Sequence, residues 1–205
     1  MSEPWLSVAA AVIGFFAGAV PFGVLVSRAF YGTDIRRSGS GNIGAANALR
    51  TLGKRGAAAV LALDALKGFA PALAFGALGG PVPATVAAFA SVVGHCWSPF
   101  LGFKGGKGVA TFLGATIALW WPAGLAFGLV WIAAVIACGY ASVGSMLASL
   151  AMAPVLWFGL GRVGLAYGLV AALLIVWRHR DNIGRLRNGT ENRFSLLKAR
   201  RQSND

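Results

Sequence analysis

Lys104-Gly105-Gly106-Lys107-Gly108 places three glycines and two ammonium groups within five residues, directly before an apolar run that reads as a helix. Glycines let backbone N–H groups converge on an anion, lysines neutralise it, and a helix N-terminus adds its positive end. The chemistry this suggests is phosphate binding. The spacing does not match GxxxxGK[ST], so nucleotide hydrolysis is not indicated. Taken alone, the same stretch also reads as a glycine-rich turn whose lysines set membrane topology.

Two further polar islands interrupt the apolar chain. Ser38–Arg50 (SGSGNIGAANALR) offers Ser40, Asn42, Asn47 and Arg50 among glycines. A guanidinium grips phosphate bidentately while hydroxyls and amides bond alcohol groups, a set suited to a polyol phosphate. The plainer reading is a polar loop opening onto an interfacial helix, with Arg36 and Arg37 setting topology. Arg178–Arg193 (RHRDNIGRLRNGTENR) holds His179 and Asn182, spaced i, i+3 and so facing one way on a helix. Arg178, Arg180, Arg185 and Arg187 surround them. That setting depresses an imidazole pKa and favours a neutral ring able to donate or to accept a proton. A histidine at a membrane end is also a common structural hydrogen-bonder. Glu191 reads as the partner of an arginine.

His95 stands beside Cys96, but adjacent helical residues point about 100° apart, and no acid completes a nucleophilic set. His95 is expected to cap its helix or steady the Lys104 loop. Asp64 and Lys67 are i, i+3 neighbours inside an apolar run. Such a pair is a functional candidate; mutual neutralisation is the simpler account. Cys96 and Cys138 form no disulfide framework, and no cluster has metal-ligand spacing. No metal or cofactor is expected.

The elements that must position these groups are membrane helices. Of 205 residues 57% are hydrophobic and 12% charged, with mean hydropathy +0.70. A soluble domain carries about twice that charged fraction. The fold class expected is an all-α integral membrane protein, a single transmembrane domain over residues 1–205. The apolar runs do not alternate, which excludes a strand barrel. The net charge of +12 reads as loop charge and not as a nucleic-acid surface.

About seven transmembrane helices are predicted, near Trp5–Val26, Gly56–Leu78, Ala84–Leu101, Val109–Trp120, Ala123–Cys138, Met146–Phe158 and Leu165–Trp177. Arg28 is expected to end the first, and Gly139–Ser145 to form a polar break. The first run lacks the basic start of a cleaved signal and reads as a retained span. Two spans separate the first island from the second, and four separate the second from the third. Both numbers are even, so the motif loops near 36–55, 102–111 and 178–193 share one side. Of the 18 Lys and Arg, only Lys67 and Arg162 lie away from these loops and the tail. The positive-inside rule then makes the loops and the C-terminus cytoplasmic and the N-terminus extracytoplasmic. The tail Asn192–Asp205 reads as a solvated or headgroup-facing end.

Together the three islands resemble the bacterial PlsY family, membrane acyl-phosphate:glycerol-3-phosphate acyltransferases. The family pattern is GSGNxGxTNxxR, then GHxxxxFLxFxGGKGVAT, then HRxNIxRLxxGxE. This chain reads Gly39–Arg50 (GSGNIGAANALR), Gly94–Thr111 (GHCWSPFLGFKGGKGVAT) and His179–Glu191 (HRDNIGRLRNGTE). Ala46 stands where the family usually has Thr, which removes a hydroxyl from the first motif.

The resemblance implies a multi-pass protein of the bacterial plasma membrane. It implies attack of the 1-hydroxyl of glycerol 3-phosphate on a fatty acyl phosphate, giving lysophosphatidic acid and phosphate. Ser40 and Arg50 would bind glycerol 3-phosphate. Gly105, Gly106, Lys107 and Gly108 would hold a phosphate, assisted by Lys104. His179, Asn182 and Ser40 would orient substrate and support the chemistry, with the proton passing to His179 or to a substrate phosphate oxygen. Asn42, Asn47, His95 and Glu191 would be structural supports. The partners implied are the two substrates and the lipid bilayer. A rival reading, a transporter of an organic phosphate, finds little polar lining in the spans and no inverted repeat.

Overall fold

The computed structural model describes residues 4–194. Among these residues every regular element is helical. In order they are α1 (Pro4–Ala19), α2 (Phe22–Tyr31), α3 (Ala45–Thr51), α4 (Gly53–Gly79), α5 (Pro81–Cys96), α6 (Val109–Leu119), α7 (Trp121–Cys138), α8 (Ala141–Arg178) and α9 (Arg180–Arg187), with single 3-10 turns at Ile35–Arg37 and Pro99–Leu101. Five helical stretches are long and apolar enough to cross a bilayer: Pro4–Tyr31, Gly53–Gly79, Pro81–Leu101, Trp121–Cys138 and Ala141–Arg178.

The last of these is two helices. Gly161 adopts φ 60°, ψ −141°, a conformation that L side chains avoid, and it reverses the chain inside α8. Residues 141–160 and 162–178 then pack side by side. A Cβ on Gly168 would fall 2.7 Å from the Cα of Ala153, and one on Gly164 would strike the Leu156 carbonyl. Counting both arms and the shorter apolar α6, the described residues form seven apolar helical segments.

Several boundaries differ from the sequence reading. Arg28 does not end the first segment; α2 continues to Tyr31, beyond a break at Pro21. Pro21 has no N–H for the helical ladder, which explains the break. The expected break at Gly139–Ser145 shrinks to Gly139 and Tyr140, because a left-handed Gly139 (φ 79°) closes α7 and α8 begins at once. Ser142 and Ser145 therefore stand inside a helix. Ser145 satisfies its hydroxyl on the Ala141 carbonyl at 2.8 Å. At the other end of the helix pair α4–α5, only Gly80 lies outside helical structure.

Small residues bring the segments together. α1 lies on α5, where Cβ atoms on Gly18 and Gly94 would collide with the backbones of Ser91 and Phe15. α4 meets α6 in the same way through Gly68 and Gly114. Close backbone approach supplies the van der Waals contact that must replace the hydrophobic effect between helices in lipid. Around this frame Phe112, Met152, Leu156, Tyr167 and Ile175 form the buried centre. Phe112 stacks near both Tyr167 (5.6 Å between centroids) and Phe127 (6.1 Å).

Candidate active site

The first island is folded by one side chain. Asn47, buried on α3, donates its amide N–H groups to the carbonyls of Ile35, Ser38 and Asn42 at 2.8–3.1 Å. Its oxygen accepts from the Ser40 amide at 2.8 Å. Asn42 adds an Asx-type bond, accepting from the Gly44 amide at 2.9 Å. Asp34 caps the preceding turn and pairs with Arg36 (2.6 Å) and Arg28 (2.8 Å). The Arg36 hydrogen bond, above all, holds the Asp34 carboxyl well below the usual carboxylate range. The outcome is a wound loop that presents Ser40 and Asn42 beside Arg50. Burial draws the Arg50 guanidinium pKa down, and Arg185 adds to the effect while Glu191 opposes it.

In the second island the glycines act differently from the anion-cradling arrangement expected of them. The Gly106 amide donates to the His95 carbonyl at 3.0 Å and the Gly105 amide to the Cys96 carbonyl at 3.2 Å. Their N–H groups are thus already engaged. Both carbonyls receive Arg178, whose Nη2 lies 3.2 Å from that of Gly105 and 2.9 Å from that of Gly106. The loop is clamped between the end of α5 and Arg178, whose guanidinium also lies over the Trp97 ring at 5.3 Å. Side chains on either glycine would strike His95. Lys104 is exposed, beside a smaller cavity that it shares with Gly105, Arg36, Ser40 and Asn42. Lys107 and Gly108 turn inward to the main site.

The third island supplies the far wall. His179 sits at the joint of α8 and α9, its Nδ1 2.7 Å from the Ile175 carbonyl. A carbonyl only accepts, so Nδ1 carries the proton and Nε2 keeps a lone pair. Burial, helped by nearby Lys107, lowers the His179 pKa to about 4. Asn182 accepts from Lys107 through Oδ1 and donates to Glu191 at 2.6 Å through Nδ2. Glu191 also accepts from Ser142 (2.9 Å) and Arg185 (2.7 Å). Burial opposes its ionisation, but the Asn182, Ser142 and Arg185 bonds outweigh it and hold the carboxyl below its usual value. Lys107 titrates near 8, lowered first by burial and then by Arg185.

All three islands border one cavity of about 370 Å³. Its polar end carries Ser40, Asn42, Arg50, Lys107, His179, Asn182, Arg185 and Glu191. From there an apolar slot runs between α4, α6 and α7, along Leu61, Leu113, Phe127, Trp131 and Ile132. Leu61 and Ile132 are 44% and 52% exposed on membrane-crossing helices, so they form lips open to the side of the bundle. Asp64 and His95 border the back of the cavity. Lys67 lies 2.8 Å from Asp64 and donates to the Val20 carbonyl at the α1–α2 break, an intramembrane pairing of the kind expected. Cys96 is fully buried and does not border the cavity.

A family model described as glycerol-3-phosphate acyltransferase matches residues 8–189. The chain belongs to the glycerol-3-phosphate acyltransferase family. The acyltransferase is 45% identical over 195 residues to a relative of that name from Cereibacter sphaeroides, covering 94% of this chain and 91% of the relative. A Thermotoga maritima relative, glycerol-3-phosphate acyltransferase 2, is 42% identical over 91% of this chain and 96% of its own. Among solved structures the acyltransferase is similar to PlsY (YgiH), an integral membrane glycerol 3-phosphate acyltransferase, in its glycerol 3-phosphate form. The TM-score is 0.88 at 38% identity, covering 94% of this chain and 97% of that one. The lysophosphatidic acid form of that protein matches with a TM-score of 0.85 at 36% identity.

Sequence reasoning passed over some residues of this cavity. Ser142 was hidden in a stretch read as a break between helices. Asn192 borders the cavity and, like Arg193, stays exposed, as expected of a solvated end, whereas Phe194 docks on the α7–α8 joint, stacking edge-on against Trp131 at 5.3 Å. The remainder of that tail lies outside the described residues. Ala46, in place of the family's usual Thr, borders the cavity, so the missing hydroxyl is missing from the cavity wall.

Proposed function

We propose that this acyltransferase moves a fatty acyl group from an acyl phosphate to the 1-hydroxyl of glycerol 3-phosphate, at a site facing the cytoplasm. The observation that carries this reading is the continuity of the cavity. A cationic polar end suits two phosphates, and the apolar slot joined to it suits one long alkyl chain. Such a cavity fits an amphiphilic donor and a water-soluble acceptor that meet at the membrane surface.

In this reading Arg50, Lys107 and Arg185 neutralise the phosphates. Ser40 and Asn42 bond the glycerol. The lone pair on His179 Nε2 accepts the 1-hydroxyl and orients it toward the acyl carbon. The hydroxyl oxygen forms the new ester bond as the acyl–phosphate bond breaks. An imidazole with a pKa of about 4 is a weak base. A phosphate oxygen, whose second pKa is about 6 even in a monoester such as glycerol 3-phosphate, is the stronger base and the better final home for the proton. An acyl phosphate has a good leaving group, so no covalent acyl-enzyme is needed. Positioning and stabilisation of developing charge suffice. Asn47, His95 and Glu191 hold the parts in place.

The test is purified protein in lipid nanodiscs, given acyl phosphate and glycerol 3-phosphate. Lysophosphatidic acid and phosphate should appear in equal amounts; well-folded protein that yields neither would refute the reading. Excess loop charge supports the cytoplasmic placement. An impermeant thiol reagent should label a cysteine at exposed Arg187 only after cells are opened.

A further inference from the structure

Gly128 is an unexplained glycine. Among the described residues, the other glycines with ordinary helical φ inside the apolar helices α1–α8 each abut a neighbour. Examples are Gly18 on Ser91, Gly68 on Thr111, Gly114 on Ala65 and Gly168 on Ala153. Close packing accounts for them. A Cβ on Gly128 would meet nothing within 4 Å. Neither packing nor a special backbone angle requires glycine there, and glycine is a poor helix former.

Its place in the cavity supplies a reason. Gly128, Trp131 and Ile132 are spaced i, i+3, i+4 and share one face of α7, and all three border the cavity. α7 ends beside the polar site, where Tyr140 leads into Ser142. Counting back from Cys138, the last residue of α7, to Gly128 at 1.5 Å per residue gives about 15 Å of depth along the helix axis. Phe127 and Gly128 are the lining residues of α7 farthest from the polar end, and Phe127 is buried. The absent side chain therefore leaves room at the inner end of the apolar slot.

Resting on the acyl-transfer reading above, we infer that Gly128 sets the longest acyl chain this enzyme accepts. The space a side chain would fill is occupied by the end of a long-chain donor. A larger residue at this position shortens the chain that fits and leaves the polar site untouched.

The experiment compares kcat/KM for palmitoyl phosphate and octanoyl phosphate in wild type, Gly128→Leu and Gly128→Phe. The palmitoyl-to-octanoyl ratio should fall by about tenfold or more in Gly128→Phe and by less in Gly128→Leu, as expected where several methylenes lose their pocket. Octanoyl turnover should stay within about twofold of wild type, since the bulk lies beyond the reach of a short chain. Leu129→Phe, on the neighbouring exposed position, should leave the ratio unchanged. An unchanged ratio in both Gly128 variants overturns the inference while the acyl-transfer reading stands. Loss of both donors alike in Gly128→Phe passes the decision to Gly128→Leu, where an unchanged ratio, or equal loss again, overturns it. Wild-type protein inactive on both donors overturns the acyl-transfer reading itself.

Discussion

Lys107 and Asn182, 75 residues apart in the chain, are joined by a hydrogen bond from the lysine ammonium to the Asn182 amide oxygen. The same amide donates its N–H to Glu191 at 2.6 Å. Asn182 thus separates a cation from an anion and uses a different atom for each. A side-chain amide presents an acceptor and a donor on two atoms of one short, uncharged group. Direct contact of Lys107 with Glu191 would cancel the charge that the proposed function assigns to phosphate binding.

Replacing Asn182 by Ala should lower kcat/KM by about 100-fold, the scale of a small misplacement of reacting groups. Asn182→Asp should do no better, because its second oxygen faces Glu191. Steady-state rates, with circular dichroism to confirm the helices, test this. Wild-type rates in either variant would remove Asn182 from the site.

The Lys107 ammonium should produce a basic limb. Its pKa in the folded protein, about 8, lies below the ordinary lysine value. The charge is therefore present below that pH and lost as pH rises through it. kcat/KM should fall above about pH 8, whereas kcat should hold to higher pH because bound phosphate favours the ammonium. Lys107→Arg should abolish the limb, since a guanidinium stays charged. His179, near 4, is neutral across this range and should add no inflection of its own near its ordinary value of 6.5, so that an inflection near 6 belongs to the substrate phosphate. A pH–rate profile from about pH 5 to 10 reads both effects.

Gly105→Ala and Gly106→Ala should differ in how they can be repaired. At Gly105 the new methyl meets the His95 and Cys96 backbone; at Gly106 it meets the His95 ring. Each should cost about 1–3 kcal/mol through overpacking. Adding His95→Ala should recover stability only in the Gly106 variant, a coupling that a double-mutant cycle measures. Equal rescue at both positions would contradict the packing described.

Asn47→Ala strips four hydrogen bonds from a buried side chain. Stability should fall by about 2–4 kcal/mol. With the Ser40 amide released, KM for glycerol 3-phosphate should rise as well. Thermal unfolding in detergent and initial rates check the two effects separately. A change in neither would mean the loop is held by something else.

The helices were legible because uninterrupted apolar runs have few other solutions in a bilayer. The three polar islands were legible because charge inside such a chain stands out. The reversal near Gly161 was legible as the gap between the expected spans Met146–Phe158 and Leu165–Trp177, although a glycine-rich stretch does not announce which residue takes the unusual φ. Lys107, His179 and Asn182 could be named from residue type and spacing. Ser142 could not, because a lone serine after a turn looks like loop. The roles of Gly105 and Gly106 depended on what lies opposite: sequence shows that a side chain is absent, not which neighbour fills its place. The apolar slot was invisible for a related reason. Leu61, Leu113, Trp131 and Ile132 look like any other lipid-facing residues until α4, α6 and α7 are set around a gap.

The lips at Leu61 and Ile132 have a kinetic consequence. A donor can glide in from the leaflet with its tail still in hydrocarbon, and the lipid product can leave the same way. One reactant is thus delivered by diffusion in two dimensions and the other in three. Saturation by the donor should accordingly follow its mole fraction in the membrane, so that diluting it with inert lipid slows the enzyme even when the amount per volume of suspension is held constant.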